Sequence, residues 1–241
     1  MAPISNECIP SDSDLNSDMH LAVKDGNINK VYELLRYRPD LNEINSKQQT
    51  PLHLAVENGH YHLISHLVFH GAHIEKQDLI GNAPIHMIRV CPKQIECLEQ
   101  LVLCGAHIDR KDRFGRTLLH LAVKDGEIEL VKKLLRLGAY VNSTDIYGFG
   151  VLHYFAGRTS ITEEESDLIS VMLRENYIDV DKKNQFQQTP LFIAYKMNNI
   201  RFVRVILAHK ADFTLKMNRI LDHSLLFLNW RYQNGEICEI S

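Results

Sequence analysis

Five histidines of the 241-residue chain, His20, His53, His86, His120 and His153, stand 33, 33, 34 and 33 residues apart, and the segments around them copy one another. Thr50-Pro51-Leu52-His53-Leu54-Ala55 returns as Ala83-Pro84-Ile85-His86-Met87-Ile88 and as Thr117-Leu118-Leu119-His120-Leu121-Ala122, and Thr189-Pro190-Leu191-Phe192 is a later copy. A fixed period of this length belongs to chains built from one small unit that cannot bury its apolar face alone, so the copies must stack. Each copy also carries its own boundaries. Thr50 and Thr189 suit a helix N-cap, and Pro51 and Pro190 occupy the first helical position, where a missing N–H costs nothing. Leu63, Ile64, Leu67 and Val68, and again Leu130, Val131, Leu134 and Leu135, line one helical face, with Gly71 and Gly138 following as left-handed terminators.

A second signature runs in phase with the first: Gly71-Ala72-His73-Ile74-Glu75, Gly105-Ala106-His107-Ile108-Asp109 and Gly138-Ala139-Tyr140-Val141-Asn142. Together the two resemble the ankyrin repeat over about residues 18–220. The resemblance implies an all-α solenoid of helix-turn-helix units joined by β-turn fingers. The array is expected over 18–214, divided at 18–49, 50–82, 83–116, 117–149, 150–188 and 189–214. Ser17 stands where it can cap the first helix, so residues 1–17 read as a flexible acidic tail, and 215–241 read as a degenerate repeat or capping segment.

Charge narrows the function. With 27 basic and 30 acidic residues the net charge is -3, which excludes a nucleic-acid binder acting through bulk charge. The excess is local, since residues 1–18 hold Glu7, Asp12, Asp14 and Asp18 and no Lys or Arg. No apolar run approaches the roughly 18 residues that span a bilayer, and no leader pattern opens the chain. A cytoplasmic location is expected, with the nucleus as a further compartment. Five cysteines without a C-x-x-C pair (Cys8, Cys91, Cys97, Cys104, Cys238) read as reduced thiols, and Cys97 and Cys104, seven apart, as core.

The five motif histidines are expected to be structural, because the family uses that imidazole to tie neighbouring repeats. His62 and His66 form an i,i+4 pair with metal-ligand spacing, within a run that also holds His60, His70 and His73. They align with Glu129 and Lys133 of a later copy, which marks variable surface. No Gly-rich phosphate loop, G-x-S-x-G elbow or kinase set occurs, so no catalytic residue, no cofactor and no metal is expected. A metal-binding protein or enzyme stands as the remote alternative. In the fifth copy an insertion spans Arg158 to Asp167; it reads as a solvated acidic loop in which Thr162 and Glu165 can form a capping box.

Two columns carry the binding expectation. At the finger tips stand Lys47, Ile80, Phe114, Tyr147 and Phe186, four of them large and apolar, with Arg113 beside Phe114 in the basic stretch Arg110-Lys111-Asp112-Arg113. At the groove-facing ends of the first helices stand Lys24, Glu57, Val90, Lys124 and Lys196. The function this suggests is a monomeric, non-catalytic scaffold or adaptor for a protein or extended peptide. A narrower alternative is a transcription-factor regulator similar to the NF-κB inhibitors. Asp12-Ser13-Asp14-Leu15-Asn16-Ser17 is similar to their D-S-G-x-x-S phosphodegron, with Asp14 in place of the glycine.

Overall fold

The computed structural model describes residues 12–175 and 178–209. Within them the helices fall into six consecutive pairs: α1 (Asp12–Lys24) with α2 (Ile28–Leu35), α3 (Pro51–Glu57) with α4 (Tyr61–Phe69), and a 3₁₀ helix (Pro84–Val90) with α5 (Gln94–Leu103). The series continues with α6 (Leu118–Asp125) and α7 (Ile128–Arg136), α8 (Val151–Ala156) and α9 (Glu163–Glu175), and α10 (Pro190–Lys196) and α11 (Ile200–Ala208). First helices pack on first helices along the chain, and second helices form a row beside them. Among the described residues the extended pairing amounts to one bridge, Thr144 with Gly150, so the architecture is the all-α solenoid read from the repeats. The core is a single apolar seam between the rows, with Leu52, Leu63, Ile64 and Leu67 of one unit followed by Leu118, Leu119, Leu130 and Leu134 of another.

The motif histidines form the seam's polar thread. Nδ1 of His53, His86, His120 and His153 accepts the backbone N–H of Thr50, Ala83, Thr117 and Gly150 at 3.0 to 3.2 Å. The proton is therefore on Nε2, which donates to a carbonyl in the next finger: Asn82 at 3.0 Å, Arg110 at 3.0 Å, Ser143 at 3.1 Å and Gln188 at 3.1 Å. One neutral ring thus closes a helix start and fastens the unit to its neighbour. In the sixth unit Phe192 replaces histidine, and Thr189 caps the helix itself, its Oγ1 accepting the Phe192 N–H at 3.3 Å.

Three local expectations are corrected. Helix α1 begins at Asp12 and not near 18, because Leu15 extends the buried stripe of Met19, Ala22 and Val23 by one turn; Ser17 is exposed inside the helix and caps nothing. The first helix of the third unit is a 3₁₀ helix, because Pro92 pushes Cys91 into extended backbone (φ -73°, ψ 131°) and cuts the helix at Val90. The insertion is not a solvated acidic loop. Glu163 to Glu165 form the first turn of α9, which reaches 13 residues where α7 has 9. Thr162 and Glu165 make the capping box, with N–H···O distances of 2.7 and 3.2 Å. Of the tail expected over residues 1–17, residues 1–11 lie outside the described residues, as does the cap expected over 215–241.

The fingers share one construction. A side-chain oxygen of Asn45, Asp78, Asp112, Asp145 or Asn184 accepts the N–H groups two and four residues on, at 2.8 to 3.0 Å. This turn needs a left-handed residue before its last member. Gly81, Gly115 and Gly148 supply it at φ 82°, 72° and 80°, whereas Gln48 and Gln187 are held there at 57° and 58°. A side chain in that region costs of order 1 kcal/mol, part of which glycine returns through the entropy of its unfolded state. Gln48→Gly and Gln187→Gly are expected to raise stability by about 0.5 kcal/mol each, read as a higher urea midpoint. A lower midpoint for both would mean that these side chains contribute more to their fingers than the backbone strain costs.

Candidate binding surface

Three of the four junctions between neighbouring fingers are tied backbone to backbone. The Leu79 N–H donates to the Lys47 carbonyl at 3.3 Å, Ile146 to Phe114 at 3.0 Å, and Gln185 to Tyr147 at 2.9 Å. Each tie fixes one finger against the next and leaves the tip side chains outside the helical core. Ile80 is 55% exposed, Phe114 42%, Tyr147 48% and Phe186 62%, which is unusual for side chains of this size in consecutive units. They are not equally free. The Phe114 ring lies under the guanidinium groups of Arg116 at 4.7 Å and Arg113 at 5.4 Å, and Arg116 is itself held by buried Asp112 at 2.7 Å. Phe186 leans on Phe149 of the preceding finger, with ring centroids 6.2 Å apart. Leu79 and Ile146, next to the tips, are also exposed. Sequence reading passed over both, although their place beside the tip column was the available signal.

The second column follows the ends of the first helices. Lys24, Val90, Lys124 and Lys196 are exposed, and Glu57 is half-buried, its Oε2 accepting from Gln49 Nε2 at 3.0 Å. Lys196 lies 5.0 Å from the Phe192 ring centre. Arg89, beside Val90, binds Asp125 through two N–H···O bonds of 2.9 and 3.1 Å, joining the third unit to the fourth. Between the first two units the columns meet in a groove of about 350 Å³, whose walls include Ser17, Leu21, Lys24, Lys47 and Glu57. Leu21 is 58% exposed there, an apolar residue on the solvent side of α1 that sequence reading also missed.

The other candidates resolve into structural contacts. His66 does not turn to His62: its Nε2 lies 2.7 Å from the Tyr32 hydroxyl of the first unit, and His60 Nε2 donates to the Lys24 carbonyl at 3.0 Å. Among the described residues no group of three or more His, Cys, Asp or Glu stands together as a metal site. Cys91 and Cys97 are buried and Cys104 is half-buried. A hydrogen bond to Cys91, together with burial, pushes the Cys97 thiol up, so it stays protonated. Asp12 to Ser17 lies in α1 with Leu15 buried, so an extended degron conformation would require that turn to unwind.

Among the described residues no helix is long and apolar enough to cross a membrane. One relative found among known proteins is the potassium channel KOR2 of Oryza sativa subsp. japonica, 36% identical over 80 residues. The match covers 32% of this chain and 11% of the channel, so it speaks for a shared segment. A family model described as ankyrin repeats (3 copies) matches residues 6–78, 85–163 and 119–217. With that match over most of the chain, the stacked helix pairs, the histidine ties and the uniform fingers are accounted for together: the chain belongs to the ankyrin-repeat family.

Proposed function

We propose that this array is a non-catalytic scaffold or adaptor that binds a protein or an extended peptide through its finger tips and the adjoining ends of its first helices. Ankyrin repeats generally mediate protein–protein interaction, and the family is typically non-enzymatic. The observation that carries the narrower reading is the row of exposed tips, Ile80, Phe114, Tyr147 and Phe186: backbone ties hold the last three fingers in register, and the Gln77 amide, donating to the Lys111 carbonyl, links the Ile80 finger to them, so none of these links depends on the tip side chains. A rigid row of apolar and aromatic groups loses little entropy on binding, and aromatic residues supply most of the energy at protein interfaces.

The test begins with a pull-down using the whole chain, with captured proteins identified by mass spectrometry. Tyr147→Ala and Phe114→Ala are then expected to weaken the captured partner about thirtyfold, the equivalent of roughly 2 kcal/mol, while leaving the urea midpoint nearly unchanged. Tyr147 is the cleaner probe, because Phe114 also packs on Arg116. If both variants lose stability and keep full affinity, the aromatics are packing between fingers. The interaction would then have to run through Lys24, Glu57, Val90, Lys124 and Lys196 alone.

A further inference from the structure

We propose that the groove between the first two units selects an acidic polypeptide segment that carries an apolar side chain beside its carboxylates. This inference rests on the proposed binding role and adds the chemistry of the partner. The groove is lined by two ammonium groups, Lys24 and Lys47, both exposed and without an ion pair among the described residues. Its lining holds one carboxylate, Glu57, already engaged by the Gln49 amide at 3.0 Å. Exposed Leu21 lines the same groove and offers an apolar contact.

The charge bias continues along the same face because the finger construction consumes its carboxylates. Asp78, Asp112 and Asp145 are turned inward to hold backbone N–H groups, and Tyr154 donates a further hydrogen bond to Asp145 at 3.0 Å. Asp125 is bound by Arg89 and Glu75 by Arg110 at 3.3 Å. Arg89 and Arg110 are spent in those pairs and Arg116 on Asp112, but Arg113 lies over Phe114, and Lys124 is exposed without an ion pair among the described residues. Asp25, beside Lys24, is an exposed carboxylate that opposes the bias. The face thus presents free positive charge and apolar groups on a chain whose net charge is -3. Complementarity of that kind selects partners and speeds their encounter more than it adds affinity. Nucleic acid matches the charge but leaves Leu21 and the apolar tips without a partner.

The experiment is selection of short random peptides on the immobilised whole chain and on Lys24→Gln/Lys47→Gln and Lys24→Glu/Lys47→Glu variants, each checked by circular dichroism. Peptides recovered on the unaltered chain are expected to be rich in Asp and Glu next to an apolar residue. The bias disappears on the glutamine variant and turns toward Lys and Arg on the glutamate variant. A recovered acidic peptide binds the glutamate variant at least about tenfold more weakly, and binds the unaltered chain more weakly as salt is raised. Peptides recovered without an acidic bias overturn this inference and leave the proposed function standing. Recovery of no peptide at all overturns this inference too, while the proposed function stands or falls by the pull-down. A deoxythymidine oligomer that displaces the best peptide and binds as tightly overturns it as well, since the groove would then be a general polyanion site.

Discussion

Replacing Arg158 by methionine is expected to destabilise the array by about 3 kcal/mol, the largest effect predicted for any single surface-reaching side chain here. The guanidinium binds Glu165, whose side chain is 2% exposed, and it also donates to the Val123 carbonyl at 3.4 Å in the preceding unit. It lies against Gly126, where a Cβ would come within 3.0 Å of Nη1, so the absence of a side chain there makes room for it. Methionine keeps most of the stem's apolar contact and removes the charge. Glu165 would then be a buried carboxylate with the Thr162 N–H as its remaining partner. An uncompensated buried charge costs more than the intact pair contributes. The check is a double-mutant cycle in urea. Arg158→Met/Glu165→Gln is expected to recover more than half of the loss, since the amide can still accept from Thr162 and needs no counter-charge. If the double variant is as unstable as Arg158→Met, the loss comes from packing against Gly126 and not from the charge.

That pair also marks where the sequence stops being informative. The helix pairs, the histidine ties and the left-handed glutamines are readable because each is encoded at a fixed offset inside one period: the tie at His53 recurs at His86, His120 and His153. Arg158 and Glu165 occur once, in the one unit with an insertion, so no second copy revealed that the glutamate turns inward. A run of three acidic residues reads as solvated surface, and burial of its third member is decided by α9 packing on α7 and α11. The start of α1 was missed for a related reason. Asn16 reads as tail and Ser17 as a cap, yet Leu15 completes a stripe that tertiary packing rewards over local propensity. At the surface, the tip column was legible by its register. The self-packing of Phe114 and Phe186 was not, because Phe149 comes from the preceding finger, and Arg116 is set over Phe114 by its bond to buried Asp112.

Acid is expected to weaken the array through the same histidines that hold it together, and His120 should dominate. Its ring is fully buried, with Nδ1 accepting from Thr117, Nε2 donating to Ser143, and the Tyr154 ring meeting it edge-on at 5.2 Å. Burial pushes its pKa down to about 4, against an opposing pull from the Asp145 carboxylate and with a smaller push from Lys111. His53, His86 and His153 are lowered in the same direction, again mainly by burial. The unfolded chain takes up protons near pH 6.5, and the folded ring resists until about 4. Stability from the neutral ring is therefore whole above about pH 6.5, declines as the pH falls, and is exhausted near the folded value. For His120 alone that window is worth about 3 kcal/mol. Urea unfolding at neutral pH and near pH 4.5 provides the measurement. His120→Gln should lower stability at neutral pH, where the tie to the next finger is lost, yet lose about 2 kcal/mol less than the unaltered chain on acidification. Parallel pH profiles for the two proteins would show that His120 titrates in the folded array as freely as in water, and that the acid sensitivity of the solenoid arises from other groups.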